Sequence, residues 1–178
     1  MRIVAGELRG RRLASLPVGS RVRPTSDRAR EALFSILGDI TGLHVLDLFC
    51  GTGALGIEAL SRGAAPVTLV DTDARPAAAN IEALGLGERV ELLREDALTF
   101  LRRTTETYDL ITCDPPYDEA PSLASGLAGG LPARVAAGGR VVVETASATP
   151  MPLDLIGFHL ERERRYGGSL LRIWRNDE

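Results

Sequence analysis

The sequence predicts an α/β fold, a Rossmann-like, mostly parallel sheet covered by helices on both faces and closed by an antiparallel C-terminal hairpin. Three observations predict it. From residue 44 to residue 143, short apolar runs alternate with stretches of helical periodicity, the pattern of parallel strands joined by helical crossovers. Gly51-Thr52-Gly53-Ala54-Leu55-Gly56 stands between the first such run and the helix after it, where doubly wound sheets receive nucleotides. Near the end, two polar–apolar stretches flank Gly167-Gly168, a hairpin turn signal.

Each element has its own warrant. Residues 1–14, with glycines at 6 and 10, read as a short β-hairpin or extended arm. Pro17 to Ser20 separates the arm from the rest, which divides the chain into a basic extension over residues 1–20 and a Rossmann-like domain over residues 21–178. Pro24-Thr25-Ser26-Asp27 offers N-cap chemistry, and apolar residues at 29, 32, 33, 36 and 37 continue it as a helix ending near Gly38. Val45-Leu46-Asp47-Leu48-Phe49-Cys50 is a buried strand bounded by glycine. A helix over 54–61, a strand over 67–70 and a helix over 73–84 follow, with Pro76 tolerated in the last one's first turn. Then come a strand at 90–93, a helix at 97–103, a strand at 108–113, a loop and helix through 135, and a strand at 140–143. The hairpin takes residues 159–166 and 169–175.

Composition bounds the function. The chain has 178 residues, of which 44% are hydrophobic, enough for one domain with a full core. It lacks the apolar run of a signal peptide or membrane span, and two cysteines make no disulfide framework. A cytoplasmic protein is expected. The net charge of −3 is unevenly spread: residues 1–30 hold eight arginines against Glu7 and Asp27, leaving an acidic remainder. Every basic residue is arginine. A basic arm on an acidic body points to a phosphate-bearing partner.

Glycines after the first strand let the backbone turn tightly and approach a ligand at the helix N-terminus. A dinucleotide or S-adenosylmethionine satisfies that motif equally, and Asp71, at the end of the second strand, suits the ribose of either. Asp47, a carboxylate within an apolar strand just before the glycines, favours the cationic sulfonium of S-adenosylmethionine over a pyrophosphate. Asp96, after the third strand, either holds an adenine amine or caps the next helix.

Asp114-Pro115-Pro116-Tyr117 is the most informative tetrad. In a doubly wound sheet the fourth strand neighbours the first, so its tip faces the cofactor crevice. Two prolines end the ladder and fix a rigid backbone. An exocyclic amine is a poor nucleophile because its lone pair is delocalised into the ring. Hydrogen bonds from its two N–H groups to the Asp114 carboxylate and the Pro115 carbonyl would turn that lone pair toward a methyl group. Tyr117 would stack on the base. No metal or general base is required.

Together the two motifs resemble the amino-methyltransferases with an [Asn/Asp/Ser]-Pro-Pro-[Tyr/Phe/Trp] signature. More specifically, the chain is similar to the ribosomal small-subunit methyltransferase D family. The resemblance runs through Arg2 to Glu7, Arg9-Gly10-Arg11, Arg23 to Arg28 with Arg30-Glu31 and Phe34, Asp47 to Gly56, the tetrad and the Gly167-Gly168 hairpin. It implies a Class I S-adenosylmethionine-dependent fold of seven strands and methyl transfer to guanine N2 in 16S rRNA of the small ribosomal subunit or an assembly intermediate. It places Asp47, Phe49, Gly51, Gly53, Asp71, Asp96, Ala97 and Asp114 around the cofactor, and Asp114, Pro115 and Tyr117 at the target amine. Arg2, Arg9, Arg11, Arg12, Arg23 and Arg28 are the arginines for RNA. Tyr117, where the family often has Phe, keeps the stacking face; Cys50 replaces a small residue such as Ala.

Other residues carry less. Cys50 and Cys113 read as buried small hydrophobes. His44 and His159 lack ligand spacing, so no metal is expected. Glu144 reads as a loop cap rather than a pocket residue, and Trp174 as core. Arg162, Arg164, Arg165, Arg172 and Arg175 extend the RNA surface or guard a sheet edge. A monomer is expected. Competing readings are an N6-adenine methyltransferase, for which the chain leaves little recognition domain; a protein glutamine methyltransferase, which prefers Asn at 114; a non-catalytic RNA-binding assembly factor; and an NAD oxidoreductase, which has no use for the tetrad.

Overall fold

The computed structural model describes residues 1–14 and 26–178. The sequence expectations for Pro17 to Ser20, Arg21, Arg23, Pro24 and Thr25 lie outside the described residues. In chain order the elements are α1 (Asp27–Leu37), β1 (Val45–Leu48), α2 (Ala54–Ser61), β2 (Val67–Asp71), α3 (Arg75–Leu84), β3 (Val90–Arg94), α4 (Ala97–Arg103), β4 (Tyr108–Cys113), α5 (Ala120–Gly130), β5 (Val135–Ala146), β6 (Phe158–Tyr166) and β7 (Ser169–Asn176).

These strands form one sheet in the order β3-β2-β1-β4-β5-β7-β6. The first five pair in parallel, whereas β7 runs antiparallel to both β5 and β6. The C-terminal hairpin therefore closes the sheet, with its second strand inserted against β5. Apolar side chains on both faces are buried, as parallel strands sandwiched between helices require. On one face Val45, Leu60, Val67 and Val142 pack with Leu33 and Phe34 of α1. On the other, Leu46, Val70, Ile111 and Val143 pack with Phe100, Leu127 and Trp174.

Ser26 caps α1, its side chain accepting from the Ala29 N–H. β5 extends well beyond the apolar run at 140–143, because its final residues pair with β7 through Ala146 opposite Ser169. Its beginning, Val135-Ala136-Ala137-Gly138-Gly139, reads locally as a turn. Tyr108 nevertheless pairs with Val135, and a register shift absorbs the excess residues before Leu110 meets Arg140.

The arm is docked on the body. An antiparallel bridge joins Arg2 to Arg12, and Ile3 and Leu13 enter the core with Leu33 and Ile57. Glu58, fully buried in α2, accepts from the Val4 and Ala5 N–H groups at 2.8 and 3.0 Å. It also pairs with Arg62 at 2.9 Å and Arg30 at 3.5 Å. Arg30, likewise fully buried, donates to Asp27 and to the Arg2 carbonyl. This arginine in the first turn of α1 thus belongs to the core, and only its neighbour Arg28 projects outward. A carboxylate and a guanidinium this deep persist only with partners on each side.

Candidate functional site

The glycine turn is built around two carboxylates. Asp47, 1% exposed on β1, accepts from the Gly56 N–H at 3.0 Å and the Thr112 hydroxyl at 2.7 Å. Burial pushes its pKa up to about 7, against the two hydrogen bonds that pull it down. At the end of β2, Asp71 accepts from the Gly51 N–H at 2.8 Å and, through its other oxygen, from the Asp73 N–H at 2.9 Å. A carboxylate has about four lone-pair sites, so Asp71 retains acceptor capacity while it braces the loop.

The glycines divide the work. Gly53 caps α2 at φ 76°. Gly56 lies where a Cβ would come within 2.3 Å of Leu69 and 3.3 Å of the Asp47 carboxylate, so only glycine lets α2 press onto the sheet. Phe49 holds φ 59°, among the described residues the sole non-glycine at positive φ. Such backbone costs of order 1–3 kcal/mol and is kept where its surroundings over-determine it.

A crevice of about 260 Å³ opens above these strand tips. Phe49, Gly51, Asp71, Asp96, Ala97 and Asp114 line it, all named from sequence for the cofactor. Val70, Thr72 and Asp73 around the end of β2, with Glu95, Pro116, Glu119 and Leu123, complete the wall; Glu119, the cap of α5, and Leu123 within it carry no motif signal. Gly53 and Asp47 are not in the lining and lie beneath it. Of the two roles weighed for Asp96 the structure shows the cap, its carboxylate accepting from the Thr99 N–H at 2.8 Å, and the residue also lines the crevice.

Asp114 continues β4 past Cys113, which pairs with Leu48, and its N–H donates to the Leu48 carbonyl at 3.4 Å. The tetrad thus starts beside the tip of β1. From there it passes from the crevice, lined by Asp114 and Pro116, to a second chamber of about 410 Å³, lined by Tyr117. The Tyr117 hydroxyl lies 2.9 Å from the hydroxyl of Ser169, the first residue of β7 after the hairpin turn. Arg28, Arg165 and Tyr166 share that chamber. So does Glu144, which stands inside β5 and is 6% exposed. It is not the loop cap its position after the apolar run suggested.

Of the arginines assigned to RNA, Arg2, Arg9, Arg11 and Arg12 are exposed on the arm, Arg28 borders the chamber, and Arg23 lies outside the described residues. Arg162, Arg164, Arg165 and Arg175 are exposed on the hairpin, whereas Arg172 is partly buried over the Trp174 ring at 5.2 Å. Trp174 itself is core, and both cysteines are buried and free. Among the described residues no group of three or more His, Cys, Asp or Glu side chains could hold a metal, and no helix is long and apolar enough to cross a membrane.

The family model described as Conserved hypothetical protein 95 matches residues 1–175. The chain belongs to this family. Among relatives of this Conserved hypothetical protein 95 member, Ribosomal RNA small subunit methyltransferase D of Escherichia coli (strain K12) is 38% identical over 121 residues, 66% of this chain and 60% of that protein. The match therefore spans less than two thirds of the E. coli protein. Putative rRNA methyltransferase YlbH of Bacillus subtilis (strain 168) is 36% identical over 126 residues, 67% of this chain and 68% of that one. A solved structure described as putative methyltransferase yhhF from E. coli superposes with a TM-score of 0.83 at 32% identity, covering 99% of this chain and 98% of the other. The methyltransferase D resemblance drawn from the motifs is borne out, and the fold is the Class I methyltransferase fold.

Proposed function

We propose that this protein is an S-adenosylmethionine-dependent methyltransferase acting on the exocyclic N2 amine of a guanine in 16S rRNA, within the small ribosomal subunit or an assembly intermediate. The observation that carries this reading is the placement of Asp114-Pro115-Pro116-Tyr117 between the two hollows, with Asp114 facing the crevice and Tyr117 the chamber. A donor held in the crevice and a base held in the chamber meet at that tetrad.

The crevice residues fit an adenosine-bearing cofactor. Asp71 offers acceptors for the ribose hydroxyls, Asp96 and Ala97 border the adenine end, and Phe49 supplies an apolar wall. S-adenosylmethionine contributes an electrophilic methyl group; the chain's residues do the rest. The Asp114 carboxylate and the Pro115 carbonyl accept hydrogen bonds from the two N2–H groups and turn the nitrogen lone pair toward the methyl, while Tyr117, tied to Ser169, holds the base flat. Rate comes from positioning and from acceptors arranged before reaction. In this reading residues 1–20 form the RNA-gripping extension of a monomeric, cytoplasmic enzyme, and residues 21–178 the catalytic domain.

The test is methyl transfer from radiolabelled S-adenosylmethionine to small ribosomal subunits, with naked 16S RNA, DNA and protein as parallel acceptors. Label in 16S RNA that digests to N2-methylguanosine is the expected result. Label confined to DNA or protein overturns the substrate, and no label despite cofactor binding overturns the activity.

A further inference from the structure

We propose that Glu144 is the residue by which the chamber selects guanine, its carboxylate accepting the base's N1–H while Tyr117 holds the ring and Arg28 and Arg165 meet the flanking phosphates. This rests on the reading of the chain as a guanine N2 methyltransferase and adds the basis of its base specificity.

The chamber pairs one buried carboxylate with an aromatic wall and two cationic side chains. That combination matches a nucleotide whose base edge donates and whose backbone is anionic. Arginine meets phosphate through a fork of N–H donors. An ionised carboxylate only accepts, so the base edge it faces must carry a donor. Guanine presents N1–H next to its N2 amine, whereas adenine presents a bare N1 acceptor that a carboxylate repels. With Asp114 and the Pro115 carbonyl on the amine, the next group along the edge is N1–H, and Glu144 is the one acidic residue of the chamber lining among the described residues.

Its placement suits a reader of bases. Glu144 lies in β5 opposite Leu171 of β7, one residue past Val143, which still pairs with Cys113 of β4, so its backbone is held by β7 directly and by the residue before it. Tyr117 is fixed to the same hairpin through Ser169. At 6% exposure, a base edge that fails to match Glu144 leaves a desolvated carboxylate facing an acceptor, and sites built this way reject mismatched analogues more strongly than apolar pockets do.

The experiment compares single-turnover methylation of small subunits reconstituted with guanine or with 2,6-diaminopurine at the labelled nucleotide. The analogue keeps the N2 amine and replaces N1–H with an acceptor. Wild-type protein should favour guanine by about 5- to 150-fold, the discrimination of one good edge contact. Glu144→Gln, whose amide can donate to N1, should narrow or reverse that preference with cofactor affinity unchanged. An unchanged preference in Glu144→Gln, with guanine methylated, overturns the assignment of Glu144 alone. Guanine left unmethylated by the wild type overturns the parent reading and this one with it. Should Glu144→Gln fail to fold, Glu144→Asp retracts the carboxylate by one methylene. Slower transfer with guanine still preferred supports the assignment, and an unaltered rate overturns it.

Discussion

The Thr112 hydroxyl of β4 donates to Asp47 Oδ1 of β1 at 2.7 Å, while the other carboxylate oxygen receives the Gly56 N–H of α2. One buried carboxylate thereby joins the two central strands to the helix of the glycine turn. Thr112→Val removes a donor and leaves the oxygen buried, a change that costs about 1–3 kcal/mol. Thermal or denaturant unfolding reads this, and an unchanged midpoint would show the hydrogen bond to be dispensable.

Asp47 also imposes a pH dependence. Its pKa rises from 3.8 to about 7 on folding, so between those values the folded state holds a proton that the unfolded state has released. Stability from this group is complete below about pH 4 and is lost as pH rises through about 7. The stability of wild type minus that of Asp47→Asn should therefore fall across that window, by up to about 1.4 kcal/mol per pH unit, and level off above it. A flat or rising difference would refute the raised pKa.

Gly56→Ala should destabilise the protein by about 1–3 kcal/mol, because its Cβ meets Leu69 and the Asp47 carboxylate. Leu69→Ala is itself a cavity mutation. Combining the two should cost less than the sum of the singles, since each relieves the other's defect. Strict additivity in unfolding free energies would remove the close approach as the cause.

Two arginine sets on either side of one surface should behave oppositely. Arg30→Met removes one of the two cations beside buried Glu58, leaving Arg62 and the Val4 and Ala5 N–H groups, and should cost about 1–3 kcal/mol. Replacing Arg9, Arg11 and Arg12 together by Ala should leave the unfolding midpoint within a degree or two, since all three are exposed. It should also flatten the log–log salt dependence of RNA binding by about two to three units. An unaltered slope removes the arm from the RNA interface.

Asp114→Ala should lower kcat by roughly 100- to 1,000-fold or more, as for loss of an oriented polar contact to the reacting centre. S-adenosylmethionine affinity, measured by calorimetry, should change far less, because Asp71, Asp96 and Phe49 line the same crevice independently. A comparable loss of cofactor affinity would reassign Asp114 from the amine to the cofactor.

What could be read from sequence was what is encoded locally. The runs at 45–50, 67–70, 90–93 and 108–113 announce strands because buried parallel strands are apolar throughout. The glycine turn and the tetrad announce themselves because their residue types are rare in that setting. The order of β6 and β7 depends instead on pairing across the sheet, and so does the extension of β5 to Ala146. Glu144 reads as a loop cap for the same reason: without β7 beside it, the residue looks like the start of a loop. Arg30 looks like one more basic residue of the arm until Glu58, from a helix further along the chain, is placed against it.

The docking of the arm has a geometric result. Ser61, at the last residue of α2, receives the Glu7 N–H on its carbonyl and the Leu8 N–H on its hydroxyl, and that hydroxyl donates to the Ala5 carbonyl. A Cβ on Gly6 would fall 1.7 Å from the Ser61 carbonyl oxygen, so the fit admits no slack. The opposite end of the same helix begins at the glycine turn. The separation between the arginine-bearing arm and the loop beneath the crevice is therefore measured out by a strut of eight residues, about 12 Å long. It works as a ruler rather than a tether. Lengthening α2 by a single residue would turn the arm by about 100° around the helix axis and put its whole row of cations out of phase with the crevice.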